Sequence, residues 1–356
     1  MENRPNYKNV HNRFLLNGNH YRFDDLFEIA YSFIKEGEAH EKAIGDFLMD
    51  WIRPNEIITL KTSGSTGKPK LIQYHKQAMV NSALATGDHF GVAIGDKALH
   101  CLNADFIAGK MMLVRAMILG LEIDLVPPQG NVLQASDKVY DFAAMVPLQV
   151  EQAFEDLDKV KTLLIGGAPC SVQLKEKLKQ KSTHCYETYG MTETVTHIAS
   201  RKINGNSPLF SPLPGVKLST DERGCMVIDV PYLTQEKVIT NDLVSLKENQ
   251  HFLLKGRIDN VINSGGIKVI PEEVEAKMAP YIAQPFFIGS REDSALGQKV
   301  LLFIEGETPA KLLAQLSTIE SLSKYELPKE IHSVPAFKRT PNGKLMRQQT
   351  ISSLNL

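Results

Sequence analysis

The chain has 356 residues, 43% hydrophobic and 23% charged, which excludes a disordered or fibrous polypeptide and leaves room for two domains. Forty basic against 41 acidic residues leave a formal net charge of −1. No global field therefore favours nucleic acid or an anionic membrane, and the expected partner is a small molecule. Cys101, Cys170, Cys185 and Cys225 are scattered, without a C-x-x-C pair or zinc-type spacing, and read as reduced thiols of a cytoplasmic protein. Residues 1–6 are too polar for a signal-peptide core, and the longest apolar stretch, Met111–Leu119, is too short for a bilayer and contains Arg115.

Residues 24–36 place Leu26, Ile29, Ala30, Phe33 and Ile34 at helical spacing, with Gly37 as a stop. The apolar run Ile57–Leu60 then leads into Thr62-Ser63-Gly64-Ser65-Thr66-Gly67-Lys68-Pro69-Lys70. Hydroxyls and glycines at this density give a loop with many donors and little side-chain bulk, so its N–H groups can approach a phosphate chain closely. It is not a Walker A loop, because two residues rather than four separate Gly64 from Gly67 and Pro69 follows Lys68. A plain Gly/Ser linker would lack the paired lysines.

Gln77–Phe90 reads as a helix, and Ala98–Leu102 as a buried strand running into Asn103–Gly109. Lys110 and Arg115 accompany the apolar helix Met111–Leu119, where a cation either snorkels to the surface or faces a buried anion. Arg115 is read as snorkelling, and Lys110 as either. From residue 141 helix and strand alternate: a helix around Leu148–Leu157, the strand Thr162–Ile165, the turn Gly166-Gly167-Ala168, a helix Ser171–Lys181 and the strand His184–Thr188. This spacing predicts βαβ units and a parallel sheet with ligands at the carboxyl ends of strands. Gly166-Gly167-Ala168 stands at one such end and Tyr189-Gly190-Met191-Thr192-Glu193-Thr194 at the next, followed by His197 and Arg201.

Residues 205–250 mix glycines and prolines with β-rich runs such as Gly224–Val230, predicting a small, mostly antiparallel subdomain that contains Thr240-Asn241-Asp242. The run Gly256–Glu275 carries Arg257, Asp259 and Gly265-Gly266, and its Pro271, with acids behind it, opens a helix. Strands at Pro285–Gly289 and Lys299–Glu305 alternate with helices around 309–317 and 321–326, a small α+β domain. Near the C-terminus Lys338-Arg339-Thr340-Pro341-Asn342-Gly343-Lys344-Leu345 sets Lys344 behind an Asn-Gly turn.

The segments 62–70, 189–194, 240–242, 256–275 and 338–345 resemble, in order, the motifs of the adenylate-forming (AMP-binding) superfamily of acyl- and aryl-CoA synthetases, luciferases and peptide-synthetase adenylation domains. The resemblance implies an α/β fold: a large N-terminal domain over 1–257 with mostly parallel sheets flanked by helices, a β-rich subdomain at about 205–257, and a small mobile α+β domain over 260–356 hinged at Asp259. The front half looks shortened relative to such proteins. By the same resemblance Thr62, Ser63, Gly64, Ser65, Thr66, Gly67 and Lys70 cradle the phosphates of ATP. Gly166, Gly167 and Ala168 let adenine lie against the backbone. Tyr189 offers its face to the purine beside Gly190, Thr192 gives a hydroxyl to a phosphate oxygen, and Glu193 gives a hard carboxylate to Mg²⁺. Asp242 accepts both ribose hydroxyls, Arg257 contacts ribose or phosphate, Gly265-Gly266 lets a pantetheine arm pass, and Lys344 is the catalytic lysine. Phe106 falls where relatives present an aromatic or histidine to the substrate, so it is a pocket wall or a core aromatic.

The implied reaction is ATP-dependent activation of a carboxylic acid as an acyl-adenylate, followed by transfer to coenzyme A. The run Tyr189–Arg201 and the shortened front most resemble 2-succinylbenzoate-CoA ligases of menaquinone biosynthesis. That acid has a second carboxylate, for which Lys110, Arg115, His197 and Arg201 are candidate partners. Two other readings stay open: a stand-alone adenylation enzyme that loads a carrier protein, and a nucleotide-binding regulator without catalysis. The sequence permits an oligomer without specifying one.

Overall fold

The computed structural model describes residues 5–61, 71–134, 137–205, 207–340 and 343–354. By internal contacts the chain divides into two compact units. One comprises Met1–Cys170, Lys177–Lys217 and Asp229–Val238, the other Ser171–Glu176, Leu218–Ile228 and Ile239–Leu356.

Up to Pro212 the elements are β1 (Leu15–Leu16), β2 (Asn19–His20), α1 (Leu26–Glu36), α2 (Ala39–Ile52), β3 (Ile57–Lys61), β4 (Leu71–His75), α3 (Lys76–Phe90), β5 (Lys97–His100), α4 (Ile107–Leu119), β6 (Glu122–Leu125), β7 (Tyr140–Met145), α5 (Pro147–Gln152), β8 (Val160–Ile165), α6 (Val172–Leu178), β9 (His184–Gly190), β10 (His197–Lys202) and β11 (Ser211–Pro212). Among the described residues the main sheet runs β11-β10-β9-β8-β7-β5-β6-β1-β2. It is parallel from β9 to β1 and antiparallel at both margins. The central strands β7 and β8 bury most of their residues, as a sheet covered on both faces requires. Strand β5 has β6 on one side and β7 on the other, so the chain leaves it in opposite directions. The carboxyl ends of β5 and β7 thus border a topological switch point, where open α/β sheets bind ligands.

Local differences from the sequence reading have physical causes. The helix expected over 148–157 breaks after α5 at Ala153 (φ −97°, ψ 12°) and resumes as a 3₁₀ turn, Phe154–Lys159. The helix expected to reach Lys181 stops at Leu178.

From Lys217 the chain forms β12 (Lys217–Thr220), β13 (Cys225–Asp229), β14 (Val238–Leu246), β15 (Phe252–Arg257), β16 (Ile262–Ser264), β17 (Ile267–Val269), α7 (Pro271–Met278), β18 (Phe286–Asp293), β19 (Gly297–Glu305), α8 (Leu312–Leu316), β20 (Glu330–Val334) and α9 (Arg347–Ser352). Strands β12 to β15 make a four-stranded sheet, and β16 to β20 a five-stranded one. Period-two alternation splits β19 between two cores. Val300, Leu302 and Ile304 pack with Val274 and Met278 of α7 and with Leu312 and Leu316 of α8, whereas Leu301 and Phe303 pack with Phe287, Val334 and Phe337. The helix expected over 321–326 is a set of turns. The Glu326 carboxylate takes the Ser323 N–H at 2.7 Å and the Lys277 ammonium at 2.6 Å, closing the segment before a full helical turn propagates. Among the described residues no helix is long and apolar enough to cross a membrane.

Candidate functional site

Two strand ends of the first unit meet as the alternation pattern requires. Thr188 Oγ1 donates to the Ile165 carbonyl at 3.1 Å, and a Cβ on Gly166 would fall 2.5 Å from that hydroxyl oxygen. Only glycine lets the Gly166–Ala168 turn lie so close to β9. One residue earlier, the buried Glu187 accepts the Cys170 N–H at 3.4 Å and pairs with Arg201 across the β9–β10 ladder. Tyr189 is buried with its ring edge-to-face with Phe210, centroids 6.1 Å apart. At Gly190 a Cβ would stand 2.4 Å from both His197 Cα and the Thr196 carbonyl.

The chain then turns sharply. Thr192–Thr194 form a 3₁₀ turn, and Val195 follows with φ 67° and ψ −57°. The Thr196 N–H bonds the Thr194 carbonyl at 2.8 Å, closing a three-residue γ-turn of the strained hand on a fully buried β-branched side chain. Such conformations cost about 1–3 kcal/mol and persist where their surroundings hold them. Here Thr194 Oγ1 lies 3.2 Å from the Met191 N–H and 2.8 Å from the Thr196 carbonyl, while the Tyr74 hydroxyl donates to the Thr192 carbonyl. Burial, then the Glu193 charge, pushes the Tyr74 phenol up, so it remains a donor. Glu193 itself is exposed on this locked turn. Tyr74 lies on β4, which begins directly after residue 70. Thr62, Ser63, Gly64, Ser65, Thr66, Gly67 and Lys70 themselves lie outside the described residues.

A buried polar cluster lies behind the turn and corrects the reading of Arg115. The guanidinium does not snorkel: it is 2% exposed. Its closest acceptors are Met112 Sδ at 3.5 Å, Thr196 Oγ1 at 3.4 Å and His197 Nδ1 at 3.5 Å, and its Nε has no partner. Helix α4 is buried nearly all round, so a cation in its middle has no route to water. Among the described residues no carboxylate pairs with it. Burial pulls its pKa down to about 9. His197 Nε2 stands 3.3 Å from Thr86 Oγ1. Burial and then Arg115 hold His197 well below 6.5, a neutral imidazole at neutral pH. Among the described residues Lys110 makes no direct ion pair, although Asp105, Asp50 and Asp46 lie near enough to favour its charge; its ammonium donates to the Ala104 carbonyl at 2.7 Å and lies over the Phe47 ring. Phe106 is the half-buried residue that opens α4 at the switch point. Arg201 is engaged by Glu187 and by the Pro208 carbonyl at 2.8 Å.

In the second unit Asp242 sits on β14 directly opposite Arg257 on β15. Arg257 bridges Asp242 at 3.1 Å and Asp259 at 2.7 Å, and Asn241 donates to both Asp259 oxygens. Gly265 (φ 59°) and Gly266 (φ 79°) form the two-residue turn of the β16–β17 hairpin, where consecutive left-handed φ values favour glycine. Lys344 follows a turn in which the Gly343 N–H bonds the Thr340 carbonyl at 2.8 Å and the Lys344 N–H bonds Thr340 Oγ1 at 3.0 Å.

The donor set suits a hard divalent cation. Mg²⁺ keeps waters and substrate phosphates and needs only one or two carboxylates, and Glu193 is exposed on a held turn. Among the described residues no group of three His, Cys, Asp or Glu would hold an ion unaided. Sequence reasoning did not single out Tyr74, Glu187, Val195 or Phe210. Only the proximity of Tyr74 to the glycine-rich loop and of Glu187 to Tyr189 could have drawn notice.

Residues 31–227 match the model of the family described as AMP-binding enzyme. The 2-succinylbenzoate--CoA ligase of Listeria monocytogenes serovar 1/2a is 26% identical over 358 residues, covering 90% of this chain and 74% of that protein. Among solved structures, an acyl-CoA synthetase (AMP-forming)/AMP-acid ligase II-like protein from Dyadobacter fermentans is 35% identical, with a TM-score of 0.61 over 92% of this chain and 98% of that one. O-succinylbenzoate coenzyme A synthetase (MenE) from Bacillus subtilis, in complex with ATP and magnesium ion, is 22% identical and shares the fold, with a TM-score of 0.72 over 82% of this chain and 69% of its own. With over half of the sequence inside the family model, the chain belongs to the AMP-binding enzyme family, as an adenylate-forming acyl-CoA ligase.

Proposed function

We propose that the protein joins 2-succinylbenzoate to coenzyme A with cleavage of ATP to AMP and pyrophosphate. The observation that carries the choice of acid is Arg115. A guanidinium buried without a counter-ion is unfavourable by several kcal/mol unless a ligand supplies the charge. A dicarboxylic acid does this with the carboxylate that is not activated, while neutral His197 and Thr196 offer hydrogen bonds beside it. The 2-succinylbenzoate ligases among the relatives support the same acid.

In the first step a substrate carboxylate oxygen attacks the α-phosphorus, the bond from that phosphorus to the bridging oxygen breaks, and pyrophosphate leaves with the electron pair. Lys344, Lys70 and the N–H groups of residues 62–70 stabilise charge on the α-phosphate and the departing oxygens. Mg²⁺, held by Glu193 and the phosphates, would supply further charge neutralisation. Tyr189 and the Gly166–Ala168 turn hold adenine, and Asp242 holds ribose, with Arg257 beside it. In the second step the coenzyme A thiolate attacks the acyl carbon and AMP departs with the former carboxylate oxygen. The pantetheine arm passes Gly265-Gly266, and rotation about Asp259 exchanges these glycines for Lys344 at the reacting centre.

ATP/pyrophosphate exchange with a panel of acids tests this reading. Exchange should be fastest with 2-succinylbenzoate; equal rates with benzoate or a short fatty acid would remove the assignment.

A further inference from the structure

We infer that Arg201, paired with Glu187, is a positioning residue for the purine of ATP. This rests on the proposed reading of Tyr189 and of the Gly166–Ala168 turn as the adenine-binding segments. Both run through one joint. The buried Glu187 reaches the Cys170 N–H with one oxygen, anchoring the turn behind β8, and Arg201 with the other. Arg201 lays its guanidinium on the Phe210 ring, 4.5 Å from the centroid, and ties itself to the Pro208 carbonyl. The edge-to-face contact of Phe210 with Tyr189 completes the chain of contacts. Arg201 touches no purine in this arrangement; it fixes Phe210, Phe210 fixes the tilt of Tyr189, and Glu187 fixes the opposite wall. A planar cation suits the task because it stacks on an aromatic face while its N–H groups meet a carboxylate and a carbonyl, which a lysine cannot do at once.

The test compares wild type with Arg201→Gln, Arg201→Lys and Phe210→Leu. The readouts are KM for ATP and for the acid in the exchange assay, the preference for ATP over GTP, and the Kd of AMP by calorimetry. The expected result for Arg201→Gln is a rise of about tenfold in both KM for ATP and Kd for AMP, with KM for the acid within about twofold of wild type. ATP preference should narrow in parallel. Arg201→Lys should fall between wild type and Arg201→Gln, and Phe210→Leu should copy their pattern if the guanidinium acts through the ring. Unchanged KM and Kd in variants whose Tm has dropped would overturn the inference and leave the pair a purely structural one. Wild-type protein that neither binds AMP nor catalyses exchange would instead overturn the underlying nucleotide-site reading.

Discussion

Replacing Arg115 by Met should move stability and activity in opposite directions. Met has similar length, no charge and enough flexibility to fill the space. Burial lowers the Arg115 pKa from the ordinary guanidinium range to about 9, and at ~1.4 kcal/mol per unit this sets an upper bound of about 5 kcal/mol for holding the guanidinium charged without an anion. Substitutions of buried ions by apolar residues recover about 1–4 kcal/mol in practice, so the unliganded variant should melt several degrees higher than wild type. Activity should fall, because a carboxylate of the substrate loses its cation in a dry site; a loss of about 2–4 kcal/mol is roughly 30- to 1,000-fold in kcat/KM for 2-succinylbenzoate. Benzoate, without the second carboxylate, should be used equally by both proteins. The assays are differential scanning calorimetry and exchange kinetics with the two acids. A lower Tm, or an equal loss with benzoate, would refute the reasoning.

Lys344→Ala should reduce adenylate formation by about 10²- to 10³-fold while sparing thioester formation from supplied acyl-adenylate; equal loss in both half-reactions would contradict the division of labour. Burial lowers the pKa values of both His100, to about 4, and His197. Below pH 6.5 the unfolded chain binds protons that the folded protein refuses, so stability falls as pH falls; at pH 5 His100 should remove about 2 kcal/mol, with His197 acting in the same direction, measurable by urea titration at pH 7 and pH 5. At Val195 the usual order of small residues should invert. Val195→Gly relieves the positive φ whereas Val195→Ala loses the same packing and keeps the strain, so the glycine variant should melt at or above the alanine variant.

How much was legible in the sequence depended on whether the signal was local. Alternation along Lys299–Glu305 revealed β19 because each of its faces meets a core, and the alternating strands and helices of 141–188 revealed the parallel sheet whose ends carry Gly166 and Tyr189. The orientation of Arg115 was not legible. A helix that is apolar nearly all round has no stripe to say which way a cation in its middle points. The left-handed φ of Val195 was equally hidden, since a β-branched residue is the last that local preference would place there; tertiary contacts from Tyr74 and Thr194 hold it. Residues 321–326 had a helical pattern too short to nucleate without packing, and side-chain caps closed them as turns.

The central claim is that a carboxylate of 2-succinylbenzoate is adenylated on this chain. Its most direct test is a single-turnover reaction with ATP, Mg²⁺ and 2-succinylbenzoate in the absence of coenzyme A, quenched and read by mass spectrometry. The account predicts a 2-succinylbenzoyl-adenylate and one equivalent of pyrophosphate per active site. Formation of ADP and phosphate, or recovery of intact ATP, would contradict it.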